Sequence, residues 1–267
     1  RRTIVKADEL IASADVAAAR QKIIEEVRAN PGDVGVRMFL FQMCALLGEW
    51  DRAKAQLETI AKLEPEARML SVAYTQCITA EATRAAVFAG TETAPILYPV
   101  PWGDALAAAL RARQQGGSAA ADALYAEAFE AAPTTAGTTD TGLAFDWIAD
   151  ADPRLGPVTE AIIAGRYGLM PFCALESLSI TPPSDLRDTV WIQAEFGIAG
   201  GARVAGFIPL RYPGSEAADD AALVRGAATG WAEDGGGEYP LGHRLFAFSD
   251  ESEVPVQELR ELTLSNG

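Results

Sequence analysis

Histidine occurs once in the 267 residues, at His243, and cysteine three times, at Cys44, Cys77 and Cys173. A single imidazole removes most Ser-His and Cys-His catalytic pairings and any His-rich metal site. An odd cysteine count with no CxxC spacing speaks against a disulfide framework and predicts buried free thiols in a reducing compartment. Positive charge is also scarce: 22 Lys+Arg stand against 37 Asp+Glu, a net charge of −15. Such a polyanion repels phosphate backbones and anionic headgroups, which excludes nucleic acid and membrane surfaces as partners. Long hydrophobic runs are missing as well. The longest, from Met38 to Gly48, is broken by Gln42 and falls short of the ~20 apolar residues that span a bilayer. The chain opens on Arg1-Arg2-Thr3-Ile4 with neither an initiator Met nor an apolar leader, which gives the expectation of a start lying upstream, no export and a cytoplasmic protein. No glycine-rich phosphate loop is found either: Gly197-Ile198-Ala199-Gly200-Gly201 fits neither GxGxxG nor Walker A.

What the chain has instead is a repeat. Pro31, Pro65, Pro99 and Pro133 lie 34 residues apart, the period of a tetratricopeptide-type helix-turn-helix. In the unit ending at Pro65, Val36, Phe39, Leu40, Met43, Cys44 and Leu47 make one apolar helical stripe. Gly48 then breaks the helix, and Trp50, Ala53, Leu57, Ile60 and Ala61 continue the stripe on a second. Shifting back one period aligns Val16, Ala19 and Ile23 with Trp50, Ala53 and Leu57, so residues 1–33 read as a shorter first unit. Shifting forward aligns Gly116, Ala121 and Tyr125 with Gly48, Ala53 and Leu57, making 100–133 a third unit. The segment between lacks the hinge glycine and reads as one long helix.

Beyond Pro133 the polar stretch 134–142 reads as a linker, and the period changes from helical to alternating. Val190, Ile192, Ala194 and Phe196 alternate with Trp191, Gln193 and Glu195, as in a half-buried strand. Val204–Leu210, Leu245–Phe248 and Val254–Leu264 read likewise, with Gly197–Gly201 as a hairpin connection. A helix is expected near 153–164, with Asp152 as N-cap, Pro153 in its first turn and Gly165 past its end. Glycine and proline clusters at 212–216 and 235–242 read as long loops. The predicted architecture is multidomain, α and α+β: tetratricopeptide-like helical repeats over 1–133, a linker over 134–142, and over 143–267 an α+β domain with a mainly antiparallel sheet.

Candidate chemistry is thin. Cys173 and His243 could pair as thiolate and imidazole, but Cys173 lies in the apolar run Leu169–Cys173, where an inert buried thiol is the commoner occupant. The run Asp146, Asp150, Asp152 offers three carboxylates without the glycine turn and terminal Glu of a calcium loop. Helix capping by Asp152 and a solvated turn around Asp150 explain it instead. Arg187 and Asp188 before Trp191, and Arg211 beside Tyr212, admit a buried structural ion pair or, with Asp146 and Asp150, an enzyme site of carboxylates and arginine. Stacked helix pairs also leave a surface suited to a peptide or helix. Phe41, Trp102, Trp147 and the Arg211-Tyr212 corner lie outside the strict repeat pattern and are the candidate partner contacts, with core packing as their other reading.

Several motifs in one order carry a resemblance. Val27–Asp33, Arg37–Gln42 and Leu47–Ala53 in the first half are followed by Phe145–Asp152 with Arg154-Leu155-Gly156-Pro157, Gly165-Arg166-Tyr167, Pro171-Phe172, Asp185–Asp188 with Trp191, and Ile208–Glu216. Together they resemble the ImpE/TagJ (SciE-type) accessory proteins of bacterial type VI secretion, over nearly the whole chain. The resemblance implies a cytoplasmic, non-enzymatic adaptor without cofactor or metal. It also implies binding to the N-terminal helix of the small contractile-sheath subunit and a link to the ATPase that recycles contracted sheaths. No catalytic residue is carried over by these motifs. An enzyme site in the α+β half, or a protein that works as a homo-oligomer, are the alternatives.

Overall fold

A computed structural model describes residues 16–234 and 237–266. The part of the first repeat unit before Val16 lies outside the described residues. Among the described residues six main helices come first: α1 (Val16–Ala29), α2 (Val34–Leu46), α3 (Trp50–Leu63), α4 (Arg68–Phe88), α5 (Gly103–Gln114) and α6 (Ser118–Ala131). The pairs α2/α3 and α5/α6 are the two repeat units read from the 34-residue spacing, and the long helix expected between them is α4, of 21 residues. Asp33 caps α2 by accepting from the Val36 amide at 3.0 Å, satisfying an otherwise orphan donor. Gly48 and Gly116, at φ 67° and 79°, make the turns inside the two units, a conformation that costs glycine little.

Helix α2 is buried almost all round rather than along one stripe. Phe41, Met43, Ala45 and Leu46 are inaccessible, because besides α1 and α3 the helix packs on Tyr74 of α4 and on a 3-10 turn at Leu186–Thr189. A helix apolar on every face belongs in the centre of a fold.

Thirteen strands follow: β1 (Thr135–Thr139), β2 (Ala144–Phe145), β3 (Ile148–Asp150), β4 (Val158–Ile163), β5 (Arg166–Pro171), β6 (Leu175–Ile180), β7 (Trp191–Ile198), β8 (Ala202–Pro209), β9 (Thr229–Asp234), β10 (Gly237–Gly242), β11 (Leu245–Phe248), β12 (Glu253–Pro255) and β13 (Glu261–Asn266), with a short helix α7 (Ala221–Val224) between β8 and β9. Eight form one sheet in the order β2-β1-β13-β6-β7-β8-β4-β5, every pairing antiparallel; β9/β10 and β12-β11-β3 form two smaller sheets. One core joins the helices to the large sheet through Val158, Ile162, Leu169 and Trp191. A second lies on the opposite side of the sheet, where Met170, Ile192 and Phe196 meet Phe246 and Phe248 of β11.

Four sequence readings are corrected. The helix expected over 153–164 is a turn followed by β4. That strand is buried on both faces, Val158 and Ile162 toward the helices and Ala161 toward the second core, so its apolar run lacks the alternation that marks a half-buried strand. Asp152 does accept from the Arg154 amide at 2.9 Å, as a local turn rather than a helix cap. Gly165 and Ala164, at φ 74° and 50°, form the two-residue connection between paired Ile163 and Arg166, the left-handed pattern of a tight hairpin. The stretch 134–142, read as a linker from its polarity, contains β1, which pairs with β13 and buries Thr135 and Thr139. The strand expected over Val254–Leu264 is broken after Pro255 by a 3-10 turn and divides between two sheets. Within 235–242, read as a loop, residues 237–242 are β10; Pro240 is tolerated because this ribbon has only two strands and loses no ladder bond on its free side. Residues 235–236 lie outside the described residues.

Candidate partner-binding site

Helix α4 organises both the interior and the surface. Tyr74, Cys77, Glu81 and Arg84 recur at three- and four-residue spacing along it and are buried against the sheet. Arg84 makes a two-pronged contact with Glu160 of β4, Nε to Oε1 at 2.7 Å and Nη2 to Oε2 at 2.9 Å, and also donates to the Arg211 carbonyl at 2.7 Å. Arg244 approaches the same Glu160 from the other side and pairs with Asp150. Tyr167 donates to Glu160 at 2.7 Å, and the Trp191 indole donates to Glu81 at 2.7 Å. Burial alone would raise the Glu160 carboxyl, but Arg84 and Arg244 outweigh it and hold it down to about 2. Burial pushes the Asp150 carboxyl up to about 6, with Arg244 opposing. This network pins the helices to the sheet.

The residues singled out from sequence fall as follows. Phe41 is inaccessible and Trp102 is 3% exposed, so both spend their area on internal packing. Arg211 donates to the Leu46 carbonyl at 2.8 Å and to the Val224 carbonyl, closing the C-terminus of α2. Tyr212 is buried, and its ring lies 4.8 Å from the Arg244 guanidinium. Trp147 alone of the five is half-exposed, at 38%. Arg187 and Asp188 do not pair with each other. Arg187 donates to the Tyr74 hydroxyl at 2.9 Å, while Asp188 accepts from the Ser184 and Asp185 amides at 2.8 Å each. The three carboxylates of the acidic run also diverge: Asp146 is exposed, Asp150 faces Arg244, and Asp152 is held in a two-pronged pair by Arg154. Among the described residues no group of three or more His, Cys, Asp or Glu side chains is arranged to hold a metal ion.

His243 spends Nδ1 on the Gly226 carbonyl at 2.8 Å. The three cysteines are free; Cys44 and Cys77 are buried, whereas Cys173, expected to be buried, is half-buried. Sequence reading did not find the Arg84–Glu160 pair, whose members are 76 residues apart. The signal was an arginine and a glutamate each set inside an apolar pattern.

Two depressions flank α4. One lies between α4 and the sheet, of about 510 Å³, with Gln76, Cys77, Gln193, Glu195 and Phe207 in its walls. The other lies between α3 and α4, of about 570 Å³, walled by Leu57, Ala61, Val72 and the stems of Glu58, Lys62 and Arg68. Val72 is 55% exposed, and Leu63 and Met69, at the same end of the two helices, are exposed as well. These three are among seven exposed large apolar side chains of the described residues.

Residues 142–263 match the family model described as ImpE protein. Over 258 residues the chain is 41% identical to the type VI secretion system accessory component TagJ of Pseudomonas aeruginosa PAO1, spanning 96% of this chain and 90% of that one. The crystal structure of protein VPA1032 from Vibrio parahaemolyticus superposes with a TM-score of 0.86 over 98% of both chains at 22% identity, a likeness of fold. No helix among the described residues is long and apolar enough to cross a membrane. With a relative this similar along nearly its whole length, the chain belongs to the ImpE/TagJ family of type VI secretion accessory components.

Proposed function

We propose that this protein is a cytoplasmic adaptor of a type VI secretion system, acting by binding rather than by catalysis. Its ligand is the N-terminal helix of the small contractile-sheath subunit, and through that contact it serves the ATPase that recycles contracted sheaths. The observation that carries the reading is the 41% identity to an accessory component of that system over 96% of the chain. Two features of the fold are in keeping with it. The N-terminal half is built of stacked helix pairs, an architecture that presents helical grooves to helical partners. Of the charged side chains considered for catalysis, Asp150, Arg187, Asp188 and Arg211 are engaged in internal hydrogen bonds, while Asp146 is exposed.

The test is calorimetric titration of the full chain with a synthetic peptide of the sheath subunit's N-terminal helix from the same organism. Saturable heat with that peptide, and none with a scrambled sequence of equal composition, is the expected result. No heat at several temperatures, with none by fluorescence anisotropy, refutes the sheath-helix reading.

A further inference from the structure

We infer that the outward face of the small sheet β12-β11-β3 docks a basic segment of a partner protein, seated by an Arg or Lys side chain over the Trp147 ring. This goes beyond the adaptor reading and does not depend on the sheath helix. The alternation of burial sets the face apart. Ile148, Phe246 and Phe248 point into the second core, so their strand neighbours Trp147, Ala149, Leu245 and Ala247 point the other way. Ala149, Leu245 and Ala247 are half-buried and pack against neither core among the described residues. On β12, Glu253 and Pro255 continue the face in register with Ala247 and Leu245. The result is a shallow floor three strands wide, about 10 Å across, with the half-exposed Trp147 at its border.

Charge selects the occupant. Asp146 precedes Trp147, and its amide donates to Ser249 at 2.8 Å, at the start of the β11–β12 turn that carries Asp250 and Glu251. These three and Glu253 are exposed, and none makes an ion pair among the described residues. No Lys or Arg occurs in residues 114–153 or 245–259, which hold the whole face. Of the arginines flanking these stretches on the sheet half, Arg154 and Arg244 are buried against Asp152 and against Asp150 with Glu160. Arg260 donates to the Gln257 and Leu259 carbonyls. The wider field agrees: residues 134–267 hold 20 of the 37 acidic residues and 8 of the 22 basic ones. Such a face repels acidic or phosphate-bearing partners, a second copy of this chain included, and attracts a basic one. A cation over an indole is drawn by the ring quadrupole as well, and a planar guanidinium stacks there best. The partner lies across the face rather than extending the sheet. Phe248 donates to the Ser252 carbonyl and Val256 to the Arg244 carbonyl, so Glu253 and Pro255 turn their backbone to the free edge of β12, where Pro255 has no N–H to offer.

The experiment is anisotropy titration of a dye-labelled peptide of alternating Arg and Ala with the full chain at low salt, beside an alternating Glu and Ala peptide. Four variants follow: Trp147→Ala, Trp147→Phe, the triple Asp146→Asn/Glu251→Gln/Glu253→Gln, and the triple Glu25→Gln/Glu58→Gln/Glu66→Gln, which makes the same change of net charge on the helical half. All the substituted residues are exposed, and thermal melts verify that each variant is folded. Asp250 is left in place because its carboxylate accepts from Ser252 and holds the turn. The Arg peptide binds the parent and the Glu peptide does not. Binding weakens about fivefold in Trp147→Ala and recovers in Trp147→Phe, which keeps an aromatic face. It weakens about tenfold in the first triple, a loss that shrinks as salt is raised. The second triple stays within about twofold of the parent. Equal losses in the two triples assign the binding to net charge and overturn the proposal, as does parent-like binding by Trp147→Ala or no binding by the parent. The adaptor reading is tested by its own peptide and stands or falls separately.

Discussion

Glu160→Gln tests whether the buried charge network holds the helices to the sheet. The substitution keeps size and shape, so no cavity forms, and the amide oxygen can still accept from Tyr167. What is lost is the negative charge shared by Arg84 and Arg244. The Glu160 carboxyl, ordinarily near 4.5, is held at about 2; at 1.36 kcal/mol per pH unit that shift is about 3 kcal/mol of stability at neutral pH. Breaking one partner of a buried pair costs ~3–5 kcal/mol in other proteins, in agreement. At ~2–4 °C per kcal/mol for a chain of this size, the melting temperature falls by about 10 °C. The sign with pH follows from a depressed carboxyl: its contribution is full above 4.5 and is lost as pH falls through about 2. The gap between parent and variant in urea unfolding is therefore about 3 kcal/mol at pH 7 and about 1 kcal/mol at pH 3. Asp150, pushed up to about 6, runs the opposite way, its contribution lost as pH rises through that value; it is present in both proteins and to first order drops out of the difference. A gap below about 1 kcal/mol at pH 7, or one that does not narrow by pH 3, refutes the reasoning.

Two other expectations can be checked on the purified chain. Gly168→Ala places a methyl 2.7 Å from the Pro95 carbonyl and 2.8 Å from Leu97, where residues 95–97 bond to β5 through Leu169, and this overpacking lowers unfolding free energy by about 1–3 kcal/mol in urea titration. In a thiol count at neutral pH the half-buried Cys173 reacts first, while Cys77 and Cys44, the latter pushed up to about 12 by burial and Glu49, react only once the chain unfolds; early labelling of Cys44 would contradict its placement.

The repeat units were readable because their signal is local. A 34-residue period, two hinge glycines and stripes at three- and four-residue spacing describe single helix pairs, and α2, α3, α5 and α6 stand where that spacing puts them. Strands β7 and β8 were readable for the same reason, since one face is more exposed than the other and the residues alternate. Strand β4 was not, because burial on both faces removes the alternation, and β1 was not, because a polar stretch becomes a strand only when β13, more than a hundred residues away, comes to pair with it. Phe41, Trp102 and Tyr212 looked like surplus aromatics only while the second face of α2 and the layer beneath the sheet were unknown.

Composition and motif order determined by themselves what kind of protein this is: an acidic chain with one histidine, a helical repeat joined to an antiparallel sheet, and a run of family motifs. The tertiary structure alone decided which charged residues are spent inside and which apolar ones are left out. Pairing Arg84 with Glu160 and leaving Val72 uncovered beside Lys62 and Arg68 both follow from how α4 seats between α3 and the sheet. A contact between distant segments is a property of packing that no local pattern encodes.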